Sequence, residues 1–411
     1  MFTAVNPSMR IAITANGPGE FAGWVRPLVA ALRARDPAVE VHVIGVPDDF
    51  ATGREATYIE GLFPGVRAHP PAAYVRLALG RRDEDMPQHV DRVQYLGGDL
   101  SHAARLHARL GGVATSYKFS RKKYAQTFAR VFAVDAANKA QLLNWGTPAE
   151  RIRIVGNLAI DGALGEASGA YGDPPSHAAQ DGIVLFPGSR KHEVDNVFAL
   201  FVRVALNLRR MLPGVAIAFA GSPFVPDDVL RAALARGGDH PLSYGAPADL
   251  VDGAIVAEGQ RFPLVRAAMR AAARARLAIT IPGTKVIELA ALGIPAVVCT
   301  PFNAPELVVI GGPLQYAGKL PLIGTPLKRA AVVAFAKRFA HFAQPNIDAG
   351  KELDIEIAGT LLPSQVAHTA AERWRDADWC KTTGAELAAL YRHHAGAAER
   401  MAGFLLEPVR P

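Results

Sequence analysis

The chain has 411 residues, 50% of them hydrophobic and 20% charged, which is a globular composition and a length that favours two domains. Two cysteines, Cys299 and Cys380, exclude a disulfide framework and a cysteine-based metal site, and predict a reducing cytoplasm. The formal charge of +7 suits phosphorylated substrates, anionic lipid headgroups, nucleic acid or only a solvated Arg-rich surface. Without zinc-finger or RNP-type patterns, we expect no nucleic acid partner.

No segment is predicted to target or span a membrane. The apolar runs, such as residues 290–299, are far shorter than the ~20 residues that cross a bilayer. The N-terminus lacks the charged region and apolar stretch of a signal peptide. We therefore expect a cytoplasmic protein, with a peripheral position at the inner face of the cytoplasmic membrane left open.

Buried-strand runs alternate with helical patterns through the first half of the chain. RIAITAN at 10–16 is followed by a glycine turn and then by the helical pattern FAGWVRPLVAALRAR. Further strands are predicted at 39–46, 92–99, 129–135 and 151–157. This alternation indicates a parallel sheet with helices on both faces.

The pattern restarts after residues 165–180, a stretch rich in Gly, Pro and small residues that reads as a linker. A long helix is predicted at 195–211, and the chain is helical again after Pro363. Strands are predicted within 182–190, 215–222, 253–259, 276–284 and 294–300. This second alternation predicts a second doubly wound unit.

We therefore expect an α/β protein with two Rossmann-like, doubly wound domains that face each other across a cleft. The first would comprise residues 1–170 and the second residues 181–375, and the helices of about 376–411 could pack back on the first. Ligands in such sheets bind beyond the carboxyl ends of the strands. The residues at those ends are thus the candidates for function.

The first glycine turn of the second half lies in LFPGSRKHEV, residues 185–194. Gly188, Ser189 and Arg190 follow a buried strand and precede a helix. Free backbone N–H groups and the helix dipole at such a turn favour an anion. The alternative for Arg190 is a surface ion pair with Glu193.

A second glycine turn lies in ITIPGTKVIELAALGIPAVV, residues 279–298. The N–H groups from Gly283 to Lys285, with the Thr284 hydroxyl, could hold a diphosphate. Glu288 lies one helical turn beyond Thr284 on the same side and could accept from both hydroxyls of a ribose. The alternative is Thr284 as a helix N-cap and Glu288 as a surface charge.

Four motifs resemble those of the GT-B glycosyltransferases, and more narrowly those of the lipid-A-disaccharide synthase family. They are PGSR with an acidic residue three positions on, the GT-x3-E helix that ends in GxP-x-VV, PNIDAGKELDIEI at 345–357, and VGNLAIDGAL at 155–164. Their order and spacing cover about residues 10–375.

This resemblance implies a metal-independent, inverting transferase without a cofactor, active in lipid A biosynthesis. It would move an N-acylated glucosamine-type sugar from a UDP-sugar donor to a lipid-linked or phosphorylated glycolipid acceptor, beside an anionic membrane surface, and a homodimer stays open. Arg190 would neutralise the leaving UDP. The donor contacts that the resemblance implies are Gly188, Ser189, Arg190, Gly283, Thr284, Glu288, Asn346, Gly350, Lys351 and Glu352.

The general base of such a reaction is expected at a strand end of the first half, where Glu20, Asp99 and His102 are candidates. GGDLSHAA at 97–104 retains the first acidic residue of the turn found in the family as Asp99, and has His102 where the second would fall. A carboxylate and an imidazole can both accept a proton at pH 7. The alternatives are a helix N-cap for Asp99 and a surface position for His102.

Two further features concern the acceptor side. SYKFSRKKYAQ at 116–126 interleaves aromatic and basic residues, which suits an anionic headgroup or a phosphorylated glycolipid, or else forms a solvated loop. Phe21 and Trp24 either pack in the core or face a lipid. The loop at 300–326 is longer and richer in Pro and Gly than the resemblance leads us to expect.

Two other functions share these features. A UDP-N-acetylglucosamine 2-epimerase-like enzyme would have the same fold but would need acidic residues and a histidine around the sugar. A non-catalytic protein that binds a nucleotide-sugar or a lipid would retain the turns without turnover.

Overall fold

A computed structural model of the chain describes residues 8–48, 51–172, 180–238, 246–301 and 340–407. Part of the predicted linker, residues 173–179, and nearly all of the loop at 300–326 lie outside the described residues. The chain divides into two compact units. Unit 1 comprises Met1–Gly165 and His393–Pro411, and unit 2 comprises Glu166–Arg392.

Unit 1 is built on a seven-stranded parallel sheet with the order β3-β2-β1-β4-β5-β6-β7. Apolar residues fill these strands nearly continuously because helices cover both faces of a parallel sheet. The strands are β1 (Arg10–Ala15), β2 (Glu40–Gly45), β3 (Arg67–His69), β4 (Arg92–Tyr95), β5 (Val113–Tyr117), β6 (Phe128–Ala133) and β7 (Ile152–Ile154).

The helices of unit 1 start directly after β1, where a three-residue helix continues into a π-helical turn, Phe21–Val25. The chain returns to this unit at its C-terminus, where the last helix packs on the one that follows the π-helical turn. The α-helices are α1 (Pro18–Glu20), α2 (Arg26–Arg35), α3 (Glu55–Leu62), α4 (Pro71–Ala78), α5 (Leu100–Leu110), α6 (Ala136–Asn144) and α7 (Leu158–Ser168), whose last residues belong to unit 2, with the C-terminal helix Ala397–Leu405.

Unit 2 contains an eight-stranded sheet with the order β10-β11-β12-β9-β8-β13-β14-β15. The pairs β10–β11 and β11–β12 are antiparallel and the others are parallel. The strands are β8 (Ile183–Phe186), β9 (Ile217–Ala220), β10 (Asp249–Val251), β11 (Ala254–Ala257), β12 (Gln260–Val265), β13 (Leu277–Thr280), β14 (Ala296–Pro301) and β15 (Ile355–Gly359).

The core of unit 2 lies between this sheet and its longest helix, on which Phe198 stacks against Phe219 with ring centroids 5.3 Å apart. Two α/β units with mainly parallel sheets confirm the predicted fold class. The helices are α8 (Lys191–Met211), α9 (Asp227–Ala235), α10 (Ala268–Ala272), α11 (Thr284–Leu292), α12 (Gln344–Ala349), α13 (Pro363–Arg375) and α14 (Ala377–Tyr391), and we number the C-terminal helix of unit 1 α15.

Two details differ from the sequence-based expectation. Helix α7 runs to Ser168, into the stretch that was expected to be linker. Helix α8 begins at Lys191, four residues before the expected start at 195. The side chain of Glu193 accepts hydrogen bonds from the backbone before the helix, and this cap permits the earlier start.

Candidate functional site

Unit 2 brings both predicted nucleotide turns to one edge of its sheet. Strand β8 pairs in parallel with β13, and Phe186 lies opposite Thr280 at their carboxyl ends. The chain leaves β8 towards β9 on one side and later returns to β13 on the other. This reversal is the topological switch point at which doubly wound sheets bind ligands.

The turn after β8 holds an anion that belongs to the chain itself. The backbone N–H groups of Ser189 and Arg190 donate to Oε2 of Glu193 at 2.7 and 3.1 Å. The Arg190 guanidinium lies 3.5 Å from Oε1 of the same carboxylate. Gly188 has φ 117°, and a Cβ there would lie 2.4 Å from the Glu193 Cβ, so glycine is required. Phosphate contacts at this turn stay a prediction, and they need Glu193 to move.

The turn after β13 is more open. Gly283 is the N-cap of α11 with φ 152°, and both Gly283 and Thr284 are exposed. The cap is thus Gly283 and not Thr284. Glu288 is buried, and its Oε2 lies 2.5 Å from Nζ of Lys285 in an ion pair. It is therefore not the surface charge of the alternative. Its predicted contact with a ribose stays untested.

Asn346 connects two segments of unit 2 and is fully buried. Its side-chain nitrogen donates to the Asp354 carbonyl at 2.8 Å and to the Glu356 carboxylate at 2.7 Å. Its side-chain oxygen accepts from the N–H groups of Leu353 and Asp354. The amide is therefore committed to the fold, and a nucleotide contact by Asn346 stays a prediction with no spare amide hydrogen to support it.

Gly350 and Lys351 follow directly. Gly350 ends α12 with φ 65°, a left-handed helix C-cap that favours glycine. The Lys351 ammonium lies 2.5 Å from the Glu386 carboxylate, and both side chains are exposed. Their predicted contacts with the nucleotide remain predictions, while these local contacts already account for both residue types.

Unit 1 has a cavity of about 850 Å³ at the carboxyl ends of β1, β4 and β5. Asn16 and Glu20 follow β1, Gly97 to Asp99 follow β4, and residues 119–124 follow β5. Strands β1 and β4 are neighbours at the switch point of this sheet. The volume lies within the range of about 300–1,000 Å³ of small-molecule sites.

Two carboxylates reach this cavity. Asp99 caps α5, and its Oδ1 accepts from the Ser101 N–H at 2.8 Å, as the structural alternative predicted. Hydrogen bonds from Ser101 lower the pKa of Asp99, and the nearby charges of His102 and Lys123 act in the same direction. Asp99 is therefore an ionised but weak base. Glu20 is the second carboxylate, at the end of α1.

His102 is held beside the cavity but does not line it. Its Nδ1 lies 2.7 Å from the Tyr74 hydroxyl, and the two rings meet edge to face. Burial lowers the pKa of His102, although the charge of Asp99 opposes the shift. Because His102 does not line the cavity, its role as a base stays a prediction.

Lys118, one of the cations of the predicted basic and aromatic stretch at 116–126, lies beside two aromatic rings of the cavity. Its φ of 66° is unusual for a residue with a side chain, and two backbone hydrogen bonds, to Phe132 and from Asn138, maintain it. The ammonium lies 5.9 Å from the Trp24 ring and 5.7 Å from the Phe119 ring. Burial lowers the pKa of Lys118, and the charges of Asp135 and Glu20 oppose this shift.

The aromatic residues of the cavity come from distant parts of the chain. Trp24 is half-buried and lines it, whereas Phe21 is in the core, 2% exposed. Phe119 stacks on Trp145 with ring centroids 6.4 Å apart. The Arg121 guanidinium lies over the Trp145 ring, 4.2 Å from its centroid. The predicted basic and aromatic stretch thus forms one wall of a cavity.

The described ranges contain neither a membrane-spanning helix nor a cluster of metal-ligating side chains. No helix there has both the length and the hydropathy that a bilayer-spanning segment needs. Nor do three or more His, Cys, Asp or Glu side chains there come together as metal ligands.

No protein-family model matches the chain, and no curated protein matches it by sequence. Solved structures do resemble it. A Listeria monocytogenes protein assigned as a UDP-N-acetylglucosamine 2-epimerase aligns over 98% of both chains with 14% identity and a TM-score of 0.55. Another UDP-N-acetylglucosamine 2-epimerase aligns over 98% of both chains with 15% identity and a TM-score of 0.54. The Neisseria meningitidis enzyme, solved with UDP-GlcNAc, covers 97% of this chain and 99% of its own, with 11% identity and a TM-score of 0.51.

These similarities establish the GT-B fold, and they contradict the narrower resemblance. The three neighbours above carry the name UDP-GlcNAc 2-epimerase, so the resemblance to lipid-A-disaccharide synthase was wrong, and with it the prediction of sugar transfer to a lipid-linked acceptor in lipid A biosynthesis. The physical reason is that the matching motifs serve the fold. Gly293 and Gly350 are helix C-caps, Asn346 is a buried bridge, and Asp161 accepts from the N–H groups that begin α15.

Proposed function

We propose that this protein is an enzyme that acts on a UDP-sugar by inverting C2, as an epimerase of the UDP-N-acetylglucosamine 2-epimerase type does. The observation that carries the proposal is the fold similarity to such enzymes along nearly the whole chain, with TM-scores of 0.51 to 0.55. One of these neighbours is solved with UDP-GlcNAc, and another co-structure contains UDP. The similarity is one of fold, so the activity itself depends on the test below.

The site in unit 2 supports a nucleotide diphosphate. Two glycine turns lie side by side at the switch point of the sheet, each before a helix N-terminus. Arg190 places a guanidinium at one turn, where it can bind phosphate oxygens and stabilise negative charge. The N–H groups of this turn donate to the Glu193 carboxylate, so their geometry suits an anion.

Inversion at C2 requires a base that removes the C2 proton while the C1–O bond to UDP breaks, which leaves a C1–C2 double bond. A proton is then delivered to the opposite face of C2 as a UDP oxygen bonds to C1 again. The carboxylates of Glu20 and Asp99, which line the cavity of unit 1, are the candidates for these proton transfers. We favour Glu20 as the base, because hydrogen bonds to Ser101 stabilise the ionised form of Asp99. We assign no proton transfer to His102, whose ring is tethered to Tyr74.

The proposal is tested by incubating the protein with UDP-GlcNAc in D₂O and following the sugar H2 and H1 signals by proton NMR. Epimerisation breaks the C2–H bond and forms a new one with a solvent deuteron, so we expect loss of H2 together with signals of the manno sugar. Glu20→Gln should abolish both, while Arg82→Met, at an exposed position of the same unit, should retain them. UDP-GlcNAc that binds but keeps its H2 overturns the proposal in favour of a binding protein.

A further inference from the structure

Three cations lie at the rim of the unit 1 cavity. Arg121, Lys122 and Lys123 are consecutive, exposed, and line the cavity. Within the described ranges, none of the three forms an ion pair with a carboxylate. Two carboxylates, Glu20 and Asp99, line the same cavity.

These cations are held in place by the fold. The segment forms a 3₁₀ turn over Lys122–Tyr124. The guanidinium of Arg151 donates to the carbonyls of Ala125 and Phe128 directly after it. The Lys123 ammonium lies 4.7 Å from the Tyr124 ring centroid. A loop that served only to be solvated would not need these contacts.

Cations placed against aromatic rings also define where an anion would sit. The Arg121 guanidinium covers Trp145 and leaves its N–H groups at the edge of the plane for an acceptor. The Phe119–Trp145 stack and Trp24 offer apolar faces below this rim. Asn16 also lines the cavity, and its Oδ1 is a buried atom without a hydrogen-bond partner among the described residues.

We propose that this cavity binds a sugar ring that carries its own anionic group, a phosphate or a carboxylate. The ring would lie against the aromatic faces, its hydroxyls would meet Asn16 and the two carboxylates, and the anion would meet Arg121 and Lys123. A neutral N-acetylhexosamine would make the same contacts with the aromatic faces, Asn16 and the carboxylates, but would leave Arg121 and Lys123 without an anion. This subsite shares Glu20 and Asp99 with the proposed epimerase reaction and names a further class of ligand for the same cavity, although binding of such a sugar does not require that reaction.

The test is titration calorimetry of the full chain with N-acetylglucosamine 6-phosphate, N-acetylglucosamine and inorganic phosphate. We expect the sugar phosphate to bind roughly tenfold more tightly than the neutral sugar or phosphate alone, and its affinity to fall as salt is raised. Equal affinity for the sugar and the sugar phosphate, or an affinity independent of salt, overturns the proposal. These wild-type measurements do not depend on how a variant folds.

A pair of matched double variants locates the site. Arg121→Met with Lys123→Met should weaken the sugar phosphate roughly tenfold and leave N-acetylglucosamine within about twofold. Arg81→Met with Arg82→Met removes the same charge from exposed positions of the same unit and should change neither. Equal losses in the two pairs would indicate only a general effect of net charge, and would overturn the assignment.

A phosphate of this kind also occurs on lipids, so a third arm uses phosphatidylglycerol vesicles. We expect the sugar phosphate to bind in the absence of any vesicle. Vesicle binding that requires Arg121 and Lys123, without binding of the soluble sugar phosphate, overturns the sugar subsite. UDP-GlcNAc turnover is measured in parallel, so that failure of this proposal and failure of the proposed epimerase activity are distinguished.

Discussion

The switch points of the two sheets differ in how far their polar groups are paired within the chain. In unit 2 the recognisable motifs are present, and their polar groups are largely paired with each other: Glu193 with the turn N–H groups, Lys285 with Glu288, and Asn346 with its neighbours. In unit 1 the motifs are weak, yet the strand ends open onto a cavity with cations at its rim. A recognisable sequence motif therefore indicates residues that a turn or a helix cap requires. It does not indicate whether their polar groups are available to a ligand.

The largest expected effect is an exception to this comparison, because unit 2 contains a buried carboxyl oxygen without a hydrogen-bond partner among the described residues. Asp354 is buried, and its Oδ2 has no partner among the described residues. Burial raises its pKa to about 7. A carboxyl whose folded pKa exceeds its unfolded value binds more protons when folded, so unit 2 should lose stability as pH rises from about 4 to about 7.

Asp354→Asn removes the charge and can keep the bond from the Ala296 N–H. We expect the free energy of unfolding at pH 8 to rise by up to about 4 kcal/mol relative to wild type, with little gain near pH 4. Urea unfolding at the two pH values measures this. The same pH slope in the variant and the wild type would contradict the buried charge.

Arg190→Ala tests the nucleotide turn of unit 2. The loss of a charge-assisted phosphate contact should weaken UDP binding by about 10- to 100-fold, or roughly 1.4 to 2.7 kcal/mol. Arg210→Ala, which removes an exposed ion pair with Glu258 in the same unit, serves as the control. Calorimetry that finds the same UDP affinity in both variants would remove Arg190 from the site.

Unit 1 should respond to pH in the opposite direction. His42 and His69 are buried, with Nδ1 of one 3.0 Å from Nε2 of the other, and burial lowers the pKa of both. Glu40 accepts from Nε2 of His42, so neutral His42 accepts from His69 at Nδ1. Protonation is disfavoured in the folded state, and stability should fall as pH drops below about 6.5.

His69→Gln should flatten this acid-side loss. Arg10 and Arg67 face the pair as cations, while Glu40, Glu60 and Asp85 face it as anions, so the change is made at the histidine itself. Calorimetric unfolding from pH 5 to pH 7 measures the slope. A wild-type unfolding temperature that does not change across this range would show that the pair does not titrate.

Glu193→Gln tests whether the carboxylate that pairs with the N–H groups of the β8 turn competes with a nucleotide. Removing the resident negative charge should strengthen UDP binding several-fold and weaken the start of α8, because a helix N-terminus favours an acidic cap. UDP calorimetry and thermal unfolding of the same variant report the two effects. Weaker UDP binding would mean that Glu193 assists the nucleotide instead of competing with it.

Lys351→Ala should have the smallest effect. Its exposed ion pair with Glu386 contributes at most about 0.5 kcal/mol, and UDP affinity should change less than about twofold. Glu386→Ala breaks the same pair from the other side and is the matched control. A UDP affinity that falls only in the lysine variant would restore Lys351 as a nucleotide contact.

The fold followed from the sequence because its strands are short, apolar and regularly interrupted, and this periodicity requires no knowledge of distant contacts. The turns at Gly188 and Gly283 were placed for the same reason. Asn346 was predicted as a nucleotide contact, and its buried hydrogen bonds to Asp354, Glu356 and Leu353 were not predicted because they join positions that the motif does not show to be in contact. The unit 1 cavity is lined by Trp24, Phe119 and Trp145, which are distant in sequence, so neither their proximity nor the positive φ of Lys118 could be predicted from local pattern.

Hydrogen–deuterium exchange with added ligands tests most directly whether the two units hold different ligands. We expect UDP to slow exchange in peptides that cover residues 186–194 and 281–288 of unit 2, and N-acetylglucosamine 6-phosphate to slow it in residues 116–126 of unit 1. UDP protection confined to residues 116–126, with none at the two glycine turns, would contradict the account.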